Sequence, residues 1–163
     1  MKANIYAVSP HGNGCWKFVS EGRRGRFEVR ILFTRDFSEP DHKLYNLGFG
    51  VWNPLTREID DSIEVRNGDM DRILATVGVT ALNFLELNPD SFIYAEGSTA
   101  ARTRKYQMGI AAYLADIPDI FRIKGLLIET KNGQLNPPPT WEPFRVGVNY
   151  RAFLLHSNVL YLK

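Results

Sequence analysis

Small polar and basic residues cluster where a predicted strand, 91–96, runs into a predicted helix. The helix start has N–H groups without partners and the positive end of the helix dipole, and proteins often bind anions there. The two hydroxyl groups of the cluster can donate to an anion, its glycine permits close backbone approach, and its cations supply charge. The cluster therefore predicts a site for phosphate, or for the phosphates of RNA or DNA. Its members are Gly97, Ser98, Thr99, Arg102, Arg104 and Lys105.

The same residues also fit a helix that is capped and binds nothing. In that interpretation Ser98 or Thr99 accepts the exposed N–H groups, and the arginines pair with carboxylates of the sheet. Glu96 is the nearest such carboxylate along the chain. The spacing matches neither the Gly-x-x-x-x-Gly-Lys loop nor the Gly-x-Gly-x-x-Gly motif of dinucleotide-binding folds. Both interpretations stay open.

A second group of cations lies in a predicted β-hairpin, at Arg23, Arg24 and Arg26. Aromatic residues stand beside it in the sequence: Trp16, Phe18 and Phe27. Cations next to aromatic rings are typical of surfaces that bind single-stranded nucleic acid through phosphates and base stacking. A solvated hairpin tip is the commoner explanation, so this nucleic-acid site is the weaker of the two hypotheses.

Residues that usually bind metals or catalyse reactions are scarce. His11, His42 and His156 lie far apart and none has a partner at the spacing of a metal site. The single cysteine, Cys15, excludes an internal disulfide and a zinc site with several cysteines. We therefore predict no metal and no cofactor, and we assign no catalytic residue.

The favoured interpretation is a binding or interaction module for an anionic ligand, and two alternatives stay open. One is a metal-independent nuclease, such as a toxin-like RNase, built from Glu96, Arg102, Arg104 and Tyr106. The other is a protein-interaction or assembly module, including a homo-oligomer. Its contact surface would be the strand face that carries Gly48 and Gly50, or the acidic stretch between residues 39 and 71.

The totals favour an ordinary globular protein. The chain has 163 residues, 44% of them hydrophobic and 23% charged, which suits one domain spanning residues 1–163. A net charge of +2 is too small to indicate nucleic acid by itself. Since no apolar run could cross a membrane and the first residues do not resemble a signal peptide, we expect a cytoplasmic protein without a membrane partner.

Hydrophobic periodicity predicts the elements that position these residues. Phe27, Val29, Ile31 and Phe33 alternate with more polar residues and indicate a strand with one apolar face. Apolar residues at helical spacing predict one helix after residue 69, with Asp69 capping it through its carboxylate, and another from residue 98 to 117. The order ββββ-α-β-α-ββ predicts an α+β fold in which about six or seven antiparallel strands pack against two helices.

Four segments carry a resemblance to a known family: FVSEGRRGRFEVRILF, YNLGFG, NGDMDRILATV and GSTAARTRKYQMGI. Together they resemble a family of small bacterial proteins that is known only as a domain of unknown function. The match spans residues 16–114, and its most specific pieces begin at Asn67-Gly68-Asp69 and at Gly97-Ser98-Thr99. The resemblance supports the fold and leaves the function open.

Overall fold

A computed structural model describes residues 4–60, 67–127, 130–131, 134–135 and 140–158. The helices are α1 (Met70–Leu87) and α2 (Ala100–Tyr113), and a turn of 3-10 helix (Leu114–Asp116) follows α2. The strands are β1 (Ser9–Pro10), β2 (Cys15–Gly22), β3 (Gly25–Asp36), β4 (Lys43–Asn53), β5 (Glu58–Asp60), β6 (Ser91–Ala95), β7 (Phe121–Leu127), β8 (Thr130–Lys131), β9 (Gln134–Leu135), β10 (Thr140–Pro143) and β11 (Phe153–Ser157).

The strands form a nine-stranded sheet and a separate ribbon of β8 and β9. The order in the large sheet is β1-β2-β3-β4-β6-β11-β7-β10, with β5 paired to β4. This confirms the α+β class and the two helices, and it raises the strand number above the six or seven predicted. The additional strands, such as β1 and β9, have two residues each, too few for a period-two pattern.

One pairing in the sheet departs from the antiparallel arrangement that the sequence predicts. β4 and β6 run parallel, with Tyr45 opposite Ile93 and Leu47 opposite Ala95. The chain between them contains α1, which carries it back to the same end of the sheet, as parallel neighbours require. The sequence also predicts a weaker strand over residues 58–65. The structure confirms it for Glu58–Asp60, and residues 61–65 lie outside the described ranges.

The core lies between one face of the sheet and α1. Val29, Ile31 and Phe33 of β3 are 2%, 0% and 4% exposed, so the predicted apolar face is the buried one. The predicted apolar stripe of α1 lies against the same core. Leu85, near the end of that stripe, is fully buried. The period-two and helical patterns therefore identified both surfaces of the core correctly.

α2 packs less closely than α1. Its predicted inner face is confirmed, because Tyr106 and Ile110 pack against the core. Only Thr103 of this helix is buried, however, and Tyr113 is half-buried like its apolar neighbours. No helix in the described ranges is both long and apolar enough to cross a membrane.

Asp69 stands at the N-cap of α1, but its carboxylate makes no capping hydrogen bond. The prediction that it accepts N–H groups of the first turn is therefore wrong. Its Oδ2 instead accepts two hydroxyl groups, Tyr6 Oη and Ser20 Oγ, each at 2.5 Å. Tyr6 belongs to the N-terminal segment and Ser20 to β2, and their hydroxyl groups hold the carboxylate away from the helix. The backbone carbonyl of Asp69 still accepts the N–H of Ile73 at 2.9 Å, as in a regular first turn.

Asn67 ties the β2–β3 hairpin to the start of α1. Its side chain is buried, and its Oδ1 accepts the backbone N–H of Arg24 at 2.6 Å. Its Nδ2 donates to Ser20 Oγ at 3.2 Å and to the carbonyl of Gly25 at 3.0 Å. An Asn-Gly-Asp sequence at this point thus supplies the hydrogen bonds that join two distant segments.

Residues 144–152 form a loop, although the alternation in this stretch suggests that the last strand begins near residue 144. Pairing in β11 starts only at Phe153, and Gly147 adopts a φ of +88°. The loop is held by Gln107 of α2, whose Nε2 donates to the carbonyl of Val148 and whose Oε1 accepts Tyr150 N at 3.0 Å. These two bonds place the loop beside the start of α2.

Candidate functional site

A polar cleft of about 390 Å³ lies between the end of β6, the start of α2 and the loop 144–152. Four of the six residues predicted as an anion site line it: Gly97, Ser98, Thr99 and Arg104. Arg102 and Lys105 are not among its lining residues. The structure adds residues that the sequence did not point to, namely Gln107, Asn149, Tyr150 and Arg151.

Thr99 caps α2, as one of the two predicted candidates. Its Oγ1 accepts the N–H of Arg102 at 3.2 Å, and its carbonyl accepts the N–H of Thr103 at 3.1 Å. The N–H groups of Ala100 and Ala101 have no acceptor within the helix, because they belong to its first turn. Both alanines are exposed, and Ala100 lines the cleft.

Gly97 permits a close approach, and the partner is the protein's own backbone. A Cβ at this position would lie 2.5 Å from Thr103 N and 2.7 Å from the Cβ of Arg102. The Gly97 N–H donates to Thr103 Oγ1 at 3.0 Å. Glycine therefore allows the end of β6 to lie directly on the first turn of α2, which shapes one wall of the cleft.

The three predicted cations do not act together. The Arg102 guanidinium turns back to donate to Ser98 Oγ at 3.2 Å. Arg104 is exposed and lines the cleft, and it makes no hydrogen bond or ion pair with the residues described. Lys105 lies outside the cleft. Arg104 is therefore the member of the three that presents its charge to the cleft.

Glu96 does not pair with the arginines of α2, which was the arrangement expected for a helix without a ligand. Its Oε1 lies 3.6 Å from Arg151 Nε, and its Oε2 accepts the Tyr94 hydroxyl at 2.7 Å. Burial, followed by the hydrogen bond to Glu96, raises the pKa of Tyr94 to about 12. This carboxylate is thus engaged by residues of the sheet and the loop, and Arg104 has no carboxylate partner in the part of the chain that the structure describes.

The loop wall of the cleft is fixed by a small polar cluster. Glu142 Oε1 accepts the Tyr150 hydroxyl at 2.7 Å and Arg145 Nη2 at 2.8 Å. The hydrogen bond from Tyr150, and then the one from Arg145, lowers the pKa of Glu142 below its ordinary value of 4.5. Tyr150 is buried, and its ring lies against Gly125 of β7, where a Cβ would meet Tyr150 Cδ1 at 2.3 Å.

This cluster makes a prediction about pH. Because the pKa of Glu142 is lowered on folding, its bond to Tyr150 stabilises the protein above pH 4.5 and loses this effect as the pH falls through the lowered pKa. Tyr150→Phe should therefore reduce the melting temperature more at neutral pH than in acid. Thermal unfolding across this pH range measures the difference. In a Glu142→Gln background the Tyr150→Phe effect should not change with pH, and a pH-dependent effect there would contradict this assignment.

The basic hairpin is separate from the cleft. Arg26 forms an ion pair with Glu21 at 3.1 Å, and none of the three hairpin arginines lines the cleft. Phe18, one of the aromatic residues expected to stack on bases, is 3% exposed and stacks on Tyr6 within the core. Its ring is therefore not available to a base, which removes one of the three proposed stacking residues.

The residues of the nuclease hypothesis do not converge. Tyr106 lies against Phe49, with ring centroids 5.3 Å apart, on the inner side of α2. Glu96 is held by Tyr94 and Arg151, as described above. Of the four nuclease residues, Glu96 and Arg104 line the cleft, and Arg102 and Tyr106 do not.

The glycine face of β4 was considered as a protein contact surface. A Cβ on Gly50 would lie 2.6 Å from the carbonyl oxygen of Asp60, so this glycine accommodates β5. A Cβ on Gly48 would meet nothing within 4 Å. Two glycines on one face of a strand predict that another element packs closely there. The structure shows such packing at Gly50 and not at Gly48. The acidic stretch 39–71 lies partly outside the described residues.

The residues that the sequence did not identify come from far along the chain. Asn149 and Arg151 are more than 40 positions from Arg104, and they reach the cleft through the two Gln107 hydrogen bonds to the loop. No local spacing marks them, because the contact depends on a loop whose sequence resembles a strand.

Comparison with curated proteins and with solved structures gives no match. A family model described as a family of unknown function, DUF6934, matches residues 2–158, which is nearly the whole chain. This confirms the resemblance noted from the sequence and extends it beyond residues 16–114. The chain therefore belongs to DUF6934, a family of unknown function.

Proposed function

We propose that this protein is a binding module for a phosphate-bearing ligand and that the cleft at the start of α2 is its site. The observation that carries the proposal is that two arginines from distant segments, Arg104 and Arg151, both line the cleft at the capped start of α2. The ligand chemistry is a phosphate group, which a free small molecule or a nucleic-acid backbone can supply.

The electrostatics of the cleft favour an anion. Arg104 brings a positive charge to the positive end of α2, where a cation is unfavourable without a counter-charge. The Glu96–Arg151 pair is partly exposed and 3.6 Å apart, so it contributes little energy and can rearrange. Guanidinium groups bind phosphate through two parallel hydrogen bonds, which makes arginine well suited to this role.

Arg102 supports the site without entering it. Its backbone N–H donates to Thr99 Oγ1 and its guanidinium donates to Ser98 Oγ. Each hydroxyl oxygen therefore already accepts a hydrogen bond, and its own hydrogen is left to be donated to another group. In this way Arg102 orients two hydroxyl donors toward a ligand in the cleft.

Calorimetric titration tests the proposal, with inorganic phosphate, pyrophosphate and a single-stranded RNA oligonucleotide as ligands. Saturable binding of at least one of them is expected, weakening as salt is raised. Arg104→Gln should weaken it about tenfold, the equivalent of about 1.4 kcal/mol for one charged contact. Binding of phosphate and pyrophosphate without RNA assigns a small ligand, and binding of RNA assigns a nucleic acid.

Arg24→Gln is the matched control, because it removes the same charge from the hairpin. It should leave binding unchanged, and an equal loss in both variants would show that only the total charge matters. Appearance of RNA fragments would indicate the nuclease instead. A stable dimer that binds none of the three ligands would contradict the proposal and favour an assembly module.

A further inference from the structure

A second cavity, of about 570 Å³, lies between α1, α2 and the middle of the sheet. It is larger than the cleft, and the two share none of their described lining residues. Its walls are apolar and come from both helices and several strands. Representative lining residues are Leu74, Gly78, Tyr106, Ile110, Phe49 and Phe153.

The charge of the cavity walls limits what can bind. Among the described lining residues Asp116 is the only charged one, and it is exposed to solvent. No cation is among the described lining residues, so a carboxylate or phosphate would find no counter-charge among them. Burying an unpaired charge is strongly unfavourable, so the walls select an uncharged molecule.

Gly78 opens the cavity from the side of α1. It lies in the middle of the helix, where glycine is less favourable than alanine. A Cβ at this position would meet nothing within 4 Å outside the helix, and its φ is not in the left-handed region. Neither close packing nor backbone conformation requires a glycine here, and its effect is to leave space in the cavity wall.

The packing of α2 agrees with an occupant beneath it. Tyr106, Ile110 and Tyr113 line the cavity and are each half-buried, whereas seven residues of α1 are buried. Protein interiors are normally filled to the density of organic crystals, with few voids larger than a water molecule. Small-molecule sites are concave, mainly apolar and about 300–1,000 Å³ in volume, a range that includes this cavity.

We propose that the cavity between α1, α2 and the sheet binds a neutral, mainly hydrocarbon small molecule. The ligand completes the core beneath α2 and contacts the aromatic rings of the walls. The proposal is independent of the phosphate site, since the described linings of the cavity and the cleft have no residue in common. The walls enclose the space on the sheet side and on both helix sides, which suits a small molecule and not a membrane surface or a partner helix.

The neutral fluorophore N-phenylnaphthylamine is a suitable probe, since its emission rises when it enters an apolar site. We expect saturable binding of one molecule per chain. Gly78→Leu fills the cavity and should weaken binding at least about tenfold. Asn83→Leu adds the same side chain at an exposed position of α1 and should bind as the wild type does. Arg104→Gln should also have no effect, which separates this site from the phosphate site.

Circular dichroism shows whether each variant is folded. If Gly78→Leu does not fold, Ile110→Trp fills the same cavity from α2 and is titrated instead. Equal affinity in a folded cavity-filled variant, or no saturable binding by the wild type, would overturn the proposal. A neutral medium-chain alcohol should raise the melting temperature of the wild type by binding the folded state, and no such rise would count equally against the proposal.

Discussion

Asn67→Ala is expected to lower the free energy of unfolding by about 3 kcal/mol. Asn67 is 2% exposed, and its amide makes three hydrogen bonds, with Arg24 N, Ser20 Oγ and the Gly25 carbonyl. Alanine would remove all three bonds, although Ser20 Oγ would keep another bond, the one to Asp69 Oδ2. The hairpin would then be joined to the segment before α1 by fewer bonds, namely those from Ser20 Oγ to Asp69 Oδ2 and from Arg23 N to the Asn67 carbonyl.

Urea unfolding followed by circular dichroism measures this change. Asn83→Ala on the exposed side of α1 is the matched control and should change stability by no more than about 0.5 kcal/mol. Asn67→Asp keeps the shape and replaces the Nδ2 donor by an oxygen, so it should also destabilise strongly. Losses below about 1 kcal/mol in both Asn67 variants would contradict the assigned network.

Gly97→Ala is the second change with a large expected effect, about 2–3 kcal/mol of destabilisation together with loss of phosphate binding. The new Cβ would lie 2.5 Å from Thr103 N and 2.8 Å from the Arg102 carbonyl carbon. Both are backbone atoms, so no change of rotamer relieves the overlap. The end of β6 and the start of α2 must separate, which breaks the bond from Gly97 N to Thr103 Oγ1 and opens the cleft.

Gly48→Ala provides the matched control for this variant, since a Cβ there meets nothing within 4 Å and the φ is not left-handed. Removing glycine at such a position should be neutral or slightly stabilising. Thermal unfolding and phosphate titration of the two variants give the comparison. If Gly97→Ala unfolds and binds like Gly48→Ala, β6 does not lie against α2 as described.

Much of the fold could be predicted because local patterns coincide with it. The alternation in β3 and the helical stripe of α1 both follow from one buried face, so residues such as Ile31 and Leu85 were placed correctly. The parallel pairing of β4 with β6 was missed, since strand direction depends on the crossover through α1 and not on either strand's residues. The Asp69 carboxylate was misassigned because its hydroxyl partners, Tyr6 and Ser20, lie 63 and 49 positions away.

Part of the candidate site was also predictable from a local sequence pattern. Gly97, Ser98, Thr99 and Arg104 are local to one strand–helix junction, where capping rules apply. Arg151 was not predictable, because it reaches the cleft on the loop 144–152, which Gln107 holds in place. The alternating sequence of this loop resembles a strand. No local sequence pattern indicates the apolar cavity, because the cavity depends on how α1, α2 and the sheet pack against one another.

Amide chemical shifts in a phosphate titration test the phosphate site most directly, because they report which backbone groups the ligand meets. The account predicts saturable shifts at the start of α2, above all for the N–H groups of Ala100 and Ala101, and their loss in Arg104→Gln. Shifts confined to the hairpin 23–26, or an unchanged spectrum at saturating phosphate, would contradict it.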